Sequence, residues 1–327
     1  MHHPARKYLW ITVALACGAW ILVVTTARPP EQFPVNSIVT VQEGESVRSV
    51  SRTLERMGVI RSASLFANLA IVMAGERGLK AGDYYLAQSY SAPELAWRMT
   101  RGTYDLAPIK VTVPEGFTIE QVAVVMAEKF YRFDTEEFIR IAAPYEGYLF
   151  PETYFFLPNV QAEEVLETMR DMFVTKALPV LRDRDTGEVL SPEIQSDTII
   201  LASLVEEEGI TVESRRVIAG ILQNRLERNT PLQVDATVGY IFRTEGAPKP
   251  SLALTKTDLA ADSPYNTYRR VGLPPAPIAS PGLESIRAAL DPIHTAYFFY
   301  LSDAENIFHY AHTYEEHLRN IKKYLPQ

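Results

Sequence analysis

Residues 196–240 contain three linked stretches: Ser196-Asp197-Thr198-Ile199-Ile200-Leu201-Ala202-Ser203-Leu204-Val205-Glu206-Glu207-Glu208-Gly209, then Gln223-Asn224-Arg225-Leu226, then Pro231-Leu232-Gln233-Val234-Asp235-Ala236-Thr237-Val238-Gly239-Tyr240. The first apolar run is too continuous for a helix with one wet face, so it predicts a largely buried helix. Gly209 is its expected stop. Three adjacent carboxylates then sit at the negative end of the helix dipole. The dipole and their mutual repulsion both oppose ionisation and predict at least one carboxyl that titrates high, as a general acid requires. On composition alone a solvated acidic helix end is the competing reading. Glu206 follows directly on apolar and small residues, which directs it toward the core side and makes it the first candidate acid.

Outward from this helix, the apolar spacing is helical over Glu163–Leu178 and Glu213–Arg228, with Asn229 and Pro231 ending the second. Asp235 can cap a short helix over Ala236–Phe242. The proline-rich stretch Ser263–Pro281 predicts an extended loop with little freedom. A helix follows to Leu290, then a hairpin of Ala296–Leu301 and Ile307–His312, then a closing helix Tyr314–Tyr324. The segment Tyr145–Tyr154, dense in aromatics and broken by Gly147 and Pro151, predicts an irregular loop that either lines a cleft or plugs the core.

The N-terminal half carries an internal similarity. Val39-Thr40-Val41-Gln42-Glu43-Gly44-Glu45-Ser46-Val47 matches Val111-Thr112-Val113-Pro114-Glu115-Gly116-Phe117-Thr118-Ile119 at a constant offset of 72 residues. Each copy predicts a short strand, a Glu-Gly turn and a helix opening at Ser46 or Thr118. The first copy continues through a strand at Gly82–Leu86 and a helix at Ala92–Thr100, and Gly102–Pro108 marks a boundary. The expected fold class is α+β: a single N-terminal transmembrane helix, a small α/β unit, and a mixed α+β domain over 108–327.

The chain has 327 residues and a formal net charge of -8, which supplies no basic field for nucleic acid. A single cysteine, Cys17, excludes an internal disulfide framework. His309, His312 and His317 lie near one another without ligand spacing, so no metal and no cofactor is expected. Tyr8–Ala27 is an uncharged apolar run of 20 residues, about what a bilayer-crossing helix needs. Arg6 and Lys7 before it favour a cytoplasmic N-terminus (residues 1–7), which places everything after the linker 28–36 on the outer side of the inner membrane. A cleaved signal peptide is the rival, and an acylated Cys17 is disfavoured by the apolar residues that follow it.

Several ordered motifs together resemble the YceG-like endolytic transglycosylases. They are Glu146-Gly147-Tyr148-Leu149-Phe150-Pro151-Glu152-Thr153-Tyr154, Leu201–Glu208, Asn224-Arg225-Leu226, Leu232–Val238, Ser263–Tyr268, Gly272-Leu273-Pro274-Pro275 with Pro277-Ile278, and Glu316-His317. The chain departs from the family pattern at Val234 and Ala236, where a small polar residue and proline are usual, at Glu152, where aspartate is commoner, and at Tyr310-Ala311. The resemblance implies a membrane anchor, a LysM-like unit over 37–104 and a YceG-like catalytic domain. It implies cleavage of MurNAc-GlcNAc bonds inside peptidoglycan strands with 1,6-anhydro ends, limiting nascent strand length, with Glu206 as the catalytic acid and base. Glu146, Tyr148, Tyr154, Glu208, Gln233, Asp235 and Asn266 are the candidate substrate contacts, each also able to be structural. Glu207 and Glu208 point off the Glu206 face of a helix, Glu207 as a solvated charge and Glu208 at the rim. The implied partners are glycan strands, the inner membrane and penicillin-binding proteins of the wall-synthesis machinery. A glycan hydrolase and a non-catalytic LysM-type scaffold are the competing functions.

Overall fold

The computed structural model describes residues 25–104, 106–183, 186–244 and 254–325. The membrane span expected over Tyr8–Ala27 lies outside the described residues except for its last three. Among the described residues no helix is long and apolar enough to cross a membrane. The fold class is therefore corrected to mixed α+β, with no membrane helix among its described elements. The longest described helix has 17 residues and carries acids toward both ends, whereas a span needs about 20 predominantly apolar residues.

The chain divides into two compact units. The first comprises residues up to Ile109 together with Ala127–Phe133 and Phe155–Val160. It opens with β1 (Ser37–Val41), α1 (Val47–Arg56), α2 (Ala63–Ala74), β2 (Gly82–Leu86) and α3 (Ala92–Arg101). β1 and β2 pair antiparallel in the register Ser37↔Leu86 to Val41↔Gly82. Val39, Val41, Val47, Leu54, Phe66, Leu86, Leu95 and Met99 fill the core between this ribbon and the three helices. Tyr84 is buried among them, and its hydroxyl donates to the carbonyls of Lys80 (2.8 Å) and Met99 (3.0 Å), which removes the penalty of an unpaired buried hydroxyl.

The second unit holds β3 (Ile109–Thr112) from Lys110 on, α4 (Ile119–Lys129) up to Met126, α5 (Thr135–Ala142), β4 (Thr153–Phe156) up to Tyr154, and α6 (Ala162–Lys176). It continues with α7 (Pro192–Glu208), α8 (Val212–Glu227), α9 (Asp235–Thr244), α10 (Leu283–Leu290), β5 (Phe299–Ser302), β6 (Phe308–Ala311) and α11 (Tyr314–Tyr324). The two copies of the internal similarity both form strand, turn and helix. Gly44 and Gly116 hold the turns at φ 75° and 79°. Ser46 caps α1 by accepting from Ser49 N, and Thr118 exchanges bonds with Gln121 at the start of α4. Within Tyr145–Tyr154 the chain is less irregular than expected. Thr153 begins β4, and Val113 N donates to Glu152 O at 3.0 Å beside the β3–β4 pairing.

α7 is the central element. Every residue from Thr198 to Val205 is buried, as the unbroken apolar run demands. Ser191 caps it by accepting from Ile194 N, and Pro192 occupies its first turn, where no amide partner is lost. α8 starts on a reciprocal Thr211–Ser214 capping box. At Gly220 a β-carbon would lie 2.1 Å from Ile293 O, so only glycine lets the chain run flush along α8. Asn224 Nδ2 then donates to Thr295 O (2.8 Å) and Tyr297 O (3.0 Å), and Arg225 Nε donates to Phe298 O (2.7 Å). This lashing carries the chain from α10 into β5 and fixes where Tyr300 arrives.

Candidate active site

The carboxylates at the end of α7 diverge. Successive helical residues turn by roughly 100°, so Glu206 and Glu208 face nearly opposite ways. The side chain of Glu206 is only 5% exposed, and it faces Arg215: Nη2 of Arg215 donates to its Oε1 at 2.6 Å. Its Oε2 accepts from Gly282 N at 2.9 Å. This is a buried, fully answered ion pair, and Glu206 does not line the cavity on the other side of the helix.

That cavity, of about 450 Å3, is lined by Glu208, Arg225, Gln233, Asp235, Tyr268, Phe299, Tyr300 and His317, among others. Tyr300 Oη donates to Glu208 Oε2 at 3.1 Å, and the backbone N–H of Ala236 also bonds the Glu208 carboxyl. Burial pushes the Glu208 carboxyl up to about 7, and the charge of Asp235 adds to the rise against the pull of these two donors. Tyr268 Oη donates to Asp235 Oδ1. Arg225, itself 6% exposed, donates from Nη1 to the carbonyls of Pro231 (3.0 Å) and Leu232 (2.9 Å) and to Gln233 Oε1 (3.1 Å). Gln233 sits at φ 53°, a left-handed conformation uncommon outside glycine and characteristic of functional sites. Its amide oxygen is held by Arg225, which leaves the amide nitrogen as the donor end of a fixed side chain. His317 stacks on Phe299 (5.3 Å between ring centroids), and burial lowers its pKa.

The remaining predicted residues are not in this cavity. Asn266 is fully buried and holds its own loop, donating to Leu259 O (3.0 Å) and Ala261 O (2.7 Å) and accepting from Tyr268 N (3.0 Å). Tyr154 is buried, with its hydroxyl donated to Phe150 O. Tyr148 packs against Phe173 at 5.2 Å. Glu146 is 7% exposed and accepts from Ile119 N at 3.4 Å, and burial and then Glu120 push it up to about 8. It lies beside Tyr240 and Tyr265 rather than Glu208. Glu207 is an exposed residue, as expected, with its side chain 22% exposed and 3.8 Å from Arg243, and partial burial of the carboxyl raises its pKa. A larger cavity of about 740 Å3, lined by Arg182, Arg216, Glu284 and Arg287 among others, contains none of the raised carboxyls.

Comparison with known proteins adds an independent line. Residues 39–323 match the sequence profile of the YceG-like family. The chain belongs to that family. It is 29% identical over 342 residues to the endolytic murein transglycosylase of Bacillus subtilis strain 168, a match covering 94% of this chain and 90% of the relative. It is 29% identical over 327 residues to the enzyme of that name from Streptococcus pneumoniae serotype 2 strain D39, covering 88% of this chain but 58% of the longer relative. A crystal structure of a YceG-like protein from Listeria monocytogenes superposes with a TM-score of 0.55 at 28% identity, over 86% of this chain and 98% of that one.

In this YceG-like chain, then, the structure gathers Glu208, Gln233 and Asp235 of the sequence candidates and leaves Glu206, Glu146, Tyr148, Tyr154 and Asn266 outside the cavity. It adds Arg225, Tyr268, Tyr300, Phe299 and His317. Arg225, Tyr268 and His317 stand inside motifs visible in the sequence. Nothing local marks Tyr300 or Phe299, which reach the cavity only because the segment after α10 is laid along α8.

Proposed function

We propose that the chain is a lytic transglycosylase that cuts peptidoglycan strands internally, with Glu208 rather than Glu206 as its single acid and base. One observation carries the assignment: half-buried Glu208 lines the cavity beside Tyr300 and its carboxyl is pushed up to about 7, so it can hold a proton near neutral pH. In the first step protonated Glu208 gives its proton to the glycosidic oxygen as the bond from C1 of the muramic residue breaks. In the second, the 6-hydroxyl of that same sugar attacks C1 and its proton passes to Glu208. The ring closes as a 1,6-anhydro sugar, the acid is restored, and no water is consumed. The attacking hydroxyl is intramolecular, so its high effective concentration replaces an activated water. Asp235, held by Tyr268, supplies negative charge near the oxocarbenium-like carbon, and Gln233 offers its fixed donor to a sugar acceptor.

The names borne by the relatives support the substrate class. The β1–α1–α2–β2 arrangement supports a glycan-placing, LysM-like role for the first unit, and cleavage within growing strands would limit their length. Action outside the cytoplasm follows from where that polymer lies. Penicillin-binding proteins stay an implication of the family resemblance alone.

The test is digestion of purified glycan strands followed by mass spectrometry of the products. Anhydro ends from the wild type, with a loss of about two to four orders of magnitude in Glu208→Gln at matched folded concentration, are expected. Free reducing ends would make the enzyme a hydrolase, and full activity in Glu208→Gln would remove Glu208 from the chemistry.

A further inference from the structure

The chemistry above leaves the Glu206–Arg215 contact unused, although it is one of the most completely engaged polar clusters in the second unit. We propose that Glu206 and Arg215 form a clamp that fixes the last turn of α7 and thereby positions the Glu208 carboxyl; this rests on the reading of Glu208 as the acid. Arg215 reaches back from the first turn of α8. Its Nη2 donates to Glu206 Oε1 (2.6 Å), its Nε to Gly209 O (3.2 Å) and its Nη1 to Glu284 Oε2 (3.1 Å). Glu206 Oε2 in turn accepts from Gly282 N (2.9 Å), just ahead of α10. One guanidinium therefore ties a side chain and a backbone carbonyl at the end of α7 to both neighbouring helices.

The terminal carbonyls of a helix have no intrahelical partner, and the last turn is where helices fray. Here Gly209 N closes on Val205 O at 2.8 Å, and its carbonyl is taken by Arg215. Gly209 is extended (φ −97°), so its value lies in close approach: a β-carbon there would stand 2.4 Å from Arg215 Cγ. Glu208 sits between the two anchored positions, Glu206 and Gly209.

Net stability is a weak reason for such a cluster. A buried ion pair gives little over an apolar replacement, and this one gathers a further acid, Glu115, whose Oε2 is 4.0 Å from Arg215 Nη2. A defined direction for the neighbouring carboxyl is the better reason. The Tyr300 hydroxyl meets Glu208 at 3.1 Å, a contact that a frayed turn would lose. Glu206 and Arg215 are thus positioning residues, and Glu208 is the group that touches substrate.

The experiment measures anhydro-product formation by the full chain on purified glycan strands for wild type, Glu206→Gln, Arg215→Gln, Arg215→Lys, the Glu206→Gln/Arg215→Gln double variant and Glu208→Gln. Rates are taken per folded molecule, with the folded fraction measured by thermal unfolding. Glu206→Gln and Arg215→Gln are expected to lower kcat on the order of 10²-fold with KM held, since a misplacement near 1 Å is enough for that. Arg215→Lys keeps the charge and should recover part of the loss, and the double variant should be no worse than either single. Wild-type kcat in Glu206→Gln and Arg215→Gln beside an inactive Glu208→Gln overturns the clamp alone. So does a fall in melting temperature with kcat per folded molecule unchanged. An active Glu208→Gln beside an inactive Glu206→Gln overturns instead the reading on which the clamp rests.

Discussion

Glu208 keeps its proton to about pH 7 because burial and Asp235 outweigh two hydrogen-bond donors, Tyr300 Oη and the Ala236 amide. The protonated form is the working acid, so kcat/KM should fall as pH rises through about 7, and a pH–rate profile of the wild type checks this. Ala236 gives a sharper test. A donor to the carboxylate favours the charged form and lowers its pKa. Position 236 lies in the first turn of α9, where proline is tolerated but carries no N–H. Ala236→Pro should therefore move the alkaline limb of kcat/KM upward with the fold intact, whereas an unmoved limb would mean that this amide does not tune Glu208. At this scale the sequence was half legible. The acid-ended buried helix was plain from Ile199 to Glu208, and so was the expectation that one of its carboxyls titrates high. Which of them faces the cavity is decided by whether Arg215 or the 231–235 and 298–300 segments pack on a given face. Adjacent apolar residues carry no information about that, and they pointed to Glu206.

At the scale of elements, the long helices were readable from their ends. Gly209 stands directly after α7 and Asn229 and Pro231 lie just beyond α8, as expected, and α11 spans the predicted Tyr314–Tyr324. β4 was not readable, because Thr153 follows a Gly- and Pro-broken aromatic run and its partner β3 lies some forty residues upstream. The contact of greatest consequence is equally silent in the sequence: Gly220 inside α8 looks like a weak helical position, yet it admits the chain at Ile293. Gly220→Ala would press a methyl group 2.1 Å from Ile293 O and force the 291–298 segment outward. Overpacking of this kind destabilises by about 1–3 kcal/mol. Displacing that segment also moves Tyr300, so activity should drop while Glu208 remains in place. Urea unfolding together with the anhydro-product assay checks both halves, and unchanged stability would show that the segment is not held by close approach.

At the scale of the whole molecule, the sequence places a boundary at Gly102–Pro108, and the first unit runs to Ile109 and also takes in 127–133 and 155–160. Those residues contribute real packing to it. Phe130 and Phe156, each 3% exposed, meet edge to face at 6.4 Å. Arg132 Nη1 donates to Thr40 Oγ1 at 3.1 Å, and Asn159 Nδ2 donates to Asp83 Oδ2 at 3.1 Å. Thr40 Oγ1 in turn donates to Asp83 Oδ1 at 2.6 Å, so both late segments grip the paired strands at one point on the ribbon. No local pattern could reveal this, since the two segments follow on from α4 and β4, well past that boundary. A two-stranded ribbon is marginal without support, and hydrogen bonds to a charged partner contribute about 1.5–3 kcal/mol when sheltered and less when exposed. An isolated 37–104 fragment is therefore expected to hold its β1–β2 amides less firmly than the full chain does, by about 1–3 kcal/mol in native-state hydrogen exchange. Asn159→Ala in the full chain should reproduce part of that loss at Asp83 and its neighbours while leaving the amides of α7 untouched. Equal protection in the fragment and the full chain would mean that the first unit is complete at residue 104 and that the later segments merely rest on it.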